Sequence, residues 1–189
     1  MLQESEFKEG LIKRLNSKQP GWIDGDQEIR DGKTADIVNH IRKVAIEVKD
    51  DTRYKLHISN RPRGMSVGGH DLGKMNERYS DHVRSANRKF KQYAGYKTIL
   101  LFRTEFPIFD VIRYSVEGLY TYSLGVGGLV YSGRRGKYSK FNRKEIGCFL
   151  LVAHDAGYFP NVLADSIRVL SKKEVEEIFG WDLEEVAKI

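Results

Sequence analysis

The stretch KTADIVNHIRKVAIEVKDD, residues 33 to 51, holds two short apolar runs built like strand interiors, each with a carboxylate among its hydrophobic neighbours. Val and Ile at alternate places favour extended chain, and successive strand residues point to opposite faces. Glu47 and Lys49 therefore share one face, and Ile46 and Val48 the other. Asp36 stands eleven positions before Glu47, and the polar NHIRK between the runs has the length of a hairpin connection. Pairing the two strands brings both carboxylates together, with Lys49 aimed at the same place.

Around this stretch the chain reads as α/β. Residues 3 to 16 form an amphipathic helix with Phe7, Leu11 and Leu15 on one stripe. At 100° per residue Glu4 falls on that stripe too, within about 20° of Leu11, while Glu6 and Glu9 point away. Extended segments follow over 22 to 29, 34 to 39 and 43 to 49. A long, glycine-containing basic segment comes next, of a length typical of a functional loop. A helix over 77 to 93 places Val83, Ala86, Phe90 and Tyr93 on one face, and KTILLFR is a buried strand. This order implies a central mixed sheet flanked by helices. Beyond it, residues 109 to 141 read as strands or hairpins between glycine turns. Asn142 with Glu145 caps a helix carrying Ile146, Phe149 and Leu150, and Ser171 with Glu174 forms a capping box for a last helix ending at Gly180.

The length of 189 residues suits one domain with a sizeable core, spanning 1 to 189. At 40% hydrophobic and 31% charged residues the composition is that of a soluble globular protein. The longest apolar run, CFLLVA, is too short to span a bilayer, and MLQESEFKEG has neither the basic start nor the apolar middle of a signal peptide. The expectation is a cytoplasmic protein with no membrane partner. Cys148, the only cysteine, can form no intrachain disulfide and reads as a small buried hydrophobe. None of the five histidines stands at metal-ligand spacing such as HExxH.

The net charge is +6, unevenly spread. From Thr52 to Arg103 there are twelve Lys or Arg against three Asp or Glu, and from Ser132 to Lys144 six against none. Such a basic middle is the footprint of a polyanion partner, because neutralising phosphates releases condensed counterions. The plainer reading is a solvated charged surface. On the polyanion reading, Arg53, Lys55, Arg61, Arg63, Arg134, Arg135 and Lys137 contact a nucleic-acid backbone without reading bases.

Convergent carboxylates make a hard oxygen site suited to Mg²⁺ or Mn²⁺, which can lower the pKa of a water and offset phosphate charge. A lysine beside them can orient that water. Asp followed by Glu-x-Lys on the next strand is what metal-dependent phosphodiester hydrolysis requires, although an edge strand can carry Glu and Lys for solubility alone.

The combination of TADIV and AIEVK, after an N-terminal helix and before a helix and strand, resembles the PD-(D/E)XK nuclease superfamily. ESEFKEGLIKRL is similar to the first helix of its phage-type and replication-repair members, where a glutamate just before an aromatic joins the metal site. The resemblance covers roughly residues 1 to 103 and implies a restriction-endonuclease-like core, leaving 104 to 189 as a β-rich extension with helices. It implies Asp36, Glu47, the Val48 carbonyl and Glu4 as metal ligands, and Lys49 as the catalytic lysine. Gln92, Lys89 or Arg88 answers to the glutamine or lysine many members carry on the next helix. Thr34 and Ala35 depart from the Gly or Pro common before the aspartate. The implied function is a divalent-metal-dependent DNA endonuclease of phage-type replication, recombination or repair. The rivals are a Holliday junction resolvase acting as a homodimer and a non-catalytic nucleic-acid-binding module.

Overall fold

Phe7, Leu11 and Leu15 recur every fourth residue along helix α1 (Glu4–Lys18), and all three are fully buried. The structure, a computed structural model, describes residues 4–28, 33–50, 72–104, 120–124, 128–132, 146–153, 157–158 and 172–180. The stripe of α1 packs on Ile46 and Val48 of strand β3 (Val44–Asp50) and on Ile99 and Leu101 of β4 (Lys97–Thr104). The strand phase then decides the rest: with Ile46 and Val48 under α1, Glu47 and Lys49 face the other side of the sheet. Helix α2 (Leu72–Phe90) covers that side with Val83, Ala86 and Phe90 buried.

The main sheet also contains β1 (Trp22–Asp24), β2 (Ile37–Asn39), β7 (Cys148–Ala153) and β8 (Gly157–Tyr158), in the order β1-β2-β3-β4-β7-β8. The pairs β1–β2, β2–β3 and β7–β8 are antiparallel, while β3–β4 and β4–β7 are parallel, so the sheet is mixed and the architecture α/β. The hairpin between β2 and β3 turns through His40 to Lys43; Asn39 Oδ1 accepts from Arg42 N at 2.9 Å, and Lys43 closes the turn with φ of 53°. Helix α3 (Lys172–Phe179) ends at Gly180, whose φ of 73° is the left-handed stop a glycine provides. Its Ile178 and Phe179 join the α1 side of the core. Strands β5 (Tyr120–Leu124) and β6 (Gly128–Ser132) pair antiparallel as a separate two-stranded sheet, in keeping with the strands or hairpins expected over 109 to 141, the rest of which lies outside the described residues. Among the described residues no helix is long and apolar enough to cross a membrane.

Three sequence expectations need correction. Residues 146 to 153 do not form a helix: Cys148–Ala153 is β7, bonded to β4 on one side and β8 on the other. An interior strand favours an unbroken apolar run, and this outweighs the local capping signal at Asn142 and Glu145. The helix after the basic segment spans Leu72–Phe90 rather than 77 to 93. The extended stretch over 22 to 29 breaks after Asp24 into a 3-10 turn, Gly25–Gln27, because Asp24 Oδ1 accepts from Asp26 N at 2.9 Å.

Candidate active site

The β2–β3 ladder pairs Ile37 with Ile46, and continuing that register by one residue sets Asp36 across from Glu47. Asp36 lies in the bend just before β2, where Oδ2 accepts a hydrogen bond from Val48 N at 2.7 Å. From α2, one turn past the buried Ala86, Lys89 reaches over the sheet. Its Nζ donates to Asp36 Oδ1 at 3.1 Å and to Glu47 Oε2 at 2.8 Å, so the two carboxylates share a single cation. Lys49 Nζ lies 2.6 Å from Glu47 Oε1 as an ion pair, but in an alignment that leaves Oε1 without a well-formed hydrogen bond.

Glu47 is 0% exposed, and its burial pushes its pKa up, with Asp36 adding to the rise and Lys49 and Lys89 opposing it. For Lys89 burial is the largest influence and pulls its pKa down, yet the combined pull of Glu47 and Asp36 outweighs it and the value ends raised. The ammonium of Lys89 is thus held charged between two acids.

On the α1 side, Asp36 and Val48 also line a pocket of about 200 Å³ together with Ser5, Lys8 and Asp26. Lys8 Nζ bridges Asp24 at 2.9 Å and Asp26 at 2.9 Å. Its pKa is raised as well: burial lowers it most, but the hydrogen bonds and charges of Asp26 and Asp24 prevail. Lys8, Asp24 and Asp26 were not legible as site residues, since the partners lie 16 and 18 positions apart with no motif to join them. The available hint was that Lys8 follows Glu4 by one helical turn.

Of the three candidates expected on the second helix, Lys89 meets the carboxylates. Gln92 Nε2 instead donates to Lys33 O at 2.8 Å, and Arg88 is exposed. Glu4 is the first residue of α1, beside Ser5 in the pocket wall; its side chain lies outside the described residues. Arg53, Lys55, Arg61, Arg63, Arg134, Arg135 and Lys137 also lie outside them.

Among the described residues no group of three or more His, Cys, Asp or Glu is placed to hold a metal. The donor set of Asp36 and Glu47 nevertheless suits a hard divalent ion that takes one or two carboxylates and keeps several waters. Their oxygens already converge on one ammonium, and the buried Glu47 Oε1 meets a second, that of Lys49. No family model, curated protein sequence or solved structure matches this chain.

Proposed function

We propose that this chain is a Mg²⁺- or Mn²⁺-dependent deoxyribonuclease with a restriction-endonuclease-like core, an endonuclease of phage-type replication, recombination or repair. The observation that carries the reading is the sharing of the Lys89 ammonium by Asp36 and Glu47, with Lys49 against the same glutamate. Two acids and a lysine brought together by a hairpin, on a basic chain, form a site for a phosphodiester rather than for a neutral substrate.

Asp36 and Glu47 would hold the ion, with the Val48 carbonyl and Glu4 completing the set. When bound, the ion supplies an acidified water and charge compensation at the phosphate. Asp36 is kept in place by the Val48 N–H, so the same strand that carries Glu47 orients its partner. Lys49 stands next to the acid pair, where its ammonium orients the attacking water and balances charge developing on the phosphate. Lys89 neutralises the pair while no divalent ion is present, and it then becomes available to a phosphate oxygen.

The test is incubation of the full chain with linear duplex, single-stranded and four-way-junction DNA over a titration of Mg²⁺ and Mn²⁺. Cleavage that EDTA stops, and that Asp36→Ala and Lys49→Ala remove without loss of the fold, is the expected result. Selective cutting of the junction by a dimer identifies the resolvase. Wild-type protein that binds DNA yet cuts none of the three at any metal concentration returns the chain to the class of binding modules.

A further inference from the structure

We propose that Tyr93, held by Glu28, is a positioning residue for the Asp36 carboxylate. The proposal rests on the reading of Asp36 and Glu47 as metal ligands. Asp36 precedes the β2 ladder, so strand pairing does not fix it by itself. Gly25 N holds the Asp36 carbonyl at 3.0 Å and Val48 N its carboxylate at 2.7 Å, and the segment from Lys33 to Asp36 is tied further to the end of α2 and the turn that follows. Lys89 Nζ donates to Asp36 Oδ1 at 3.1 Å, Gln92 Nε2 to Lys33 O at 2.8 Å, and Ala35 N to Tyr93 Oη at 3.2 Å. Gln92 is exposed, and water can replace its bond. Tyr93 is 2% exposed and Ala35 fully buried, so the phenol oxygen serves an amide that water does not reach.

The direction of that bond is set from behind. The Tyr93 hydroxyl donates to Glu28 Oε2 at 3.3 Å, which turns its lone pairs toward Ala35. The Glu28 side chain is 6% exposed, and its other oxygen meets His40 Nε2. His40 Nδ1 pairs with Tyr96 Oη at 2.8 Å, and the Tyr96 ring packs edge-on against both His40 and Tyr93. A hydroxyl made to donate on one side must accept on the other. The relay therefore locks the backbone one residue before the metal-binding aspartate, much as groups behind a metal ligand fix its orientation.

Tyr93→Phe keeps the ring and deletes both hydrogen bonds. The expected result is Mn²⁺ affinity, read by calorimetry on the full chain, weakened by roughly 10- to 100-fold. Mg²⁺-dependent cleavage should fall in parallel, with far-ultraviolet circular dichroism and metal-free DNA affinity unchanged. Glu28→Ala should behave like Tyr93→Phe. Glu28→Gln, which retains an acceptor for the hydroxyl and can donate to His40, should recover affinity to within a few-fold of wild type. The Glu28 pair decides the matter even where loss of the hydroxyl costs the fold. A wild-type protein that binds Mn²⁺ together with a Tyr93→Phe protein that binds it equally well overturns the positioning role and leaves the metal reading standing. A wild-type protein with no Mn²⁺ affinity overturns both.

Discussion

Glu47 carries an electrostatic burden that its two lysines do not lift. Its pKa is raised above the ordinary 4.5, chiefly by burial and then by Asp36. If Glu47 holds the proposed metal, protons compete with it for the carboxylate, so affinity must fall as pH drops through the raised value of the folded protein, that is, at a pH above 4.5. Mn²⁺ binding should begin to weaken, and to release protons, while the pH is still above 4.5; affinity that holds down to 4.5 would show Glu47 unshifted. Lys89 has the opposite duty. With its pKa raised above 10.5, its stabilising contribution is present below that value and is lost only as pH climbs through the raised one. Removing it leaves two facing acids, and Lys89→Ala should lower metal-free stability by about 3 kcal/mol. Mn²⁺ should raise the melting temperature more in this variant than in wild type, and an equal rise in both would mean that Lys89 does not occupy the cation's place. Lys49→Ala should instead leave the fold intact and reduce cleavage by roughly 10²- to 10³-fold, the usual effect of losing one fixed donor to developing charge.

At the scale of elements, the site depends on how closely the turn after β1 approaches the bend before β2. Gly25 N donates to Asp36 O at 3.0 Å, and a Cβ at Gly25 would sit 1.8 Å from Ala35 O. Neither backbone can yield without moving Asp36. Gly25→Ala should therefore cost at least about 3 kcal/mol, the upper part of the range for overpacking, and should take Mn²⁺ binding with it. Thermal unfolding and calorimetry check the two effects separately. Helix α1 behaves more simply. Leu11 is fully buried against the sheet, so Leu11→Ala should cost about 2–5 kcal/mol, with metal binding retained in the fraction that remains folded.

For the whole molecule the decisive property is charge. If the basic segments carry backbone contacts, replacing Arg61 and Arg63 together by alanine should flatten the salt dependence of DNA affinity by about one unit of slope per lost contact, equally for all sequences. Asp36→Ala should retain or gain DNA affinity, because it removes a charge of the phosphate's own sign. An unchanged slope in the arginine pair would assign those segments to solvent alone. Much of this was legible along the chain, because the periods of strand and helix are local properties. The phase of Ile46 to Lys49, the stripe of Phe7, Leu11 and Leu15, the hairpin that opposes Asp36 to Glu47 and the glycine stop at Gly180 all follow from neighbours within a turn or two. Tertiary structure alone decided what depends on packing between distant segments. Lys89 rather than Gln92 or Arg88 meets the carboxylates because of where α2 crosses the sheet; Cys148–Ala153 becomes a strand because β4 and β8 offer bonds on both sides. Lys8 with Asp24 and Asp26, and Tyr93 with Glu28 and Ala35, join residues that no local period connects. A sequence states which side chains share a face of their own element, but the pairing of one element's face with another's is set by the burial of the chain as a whole.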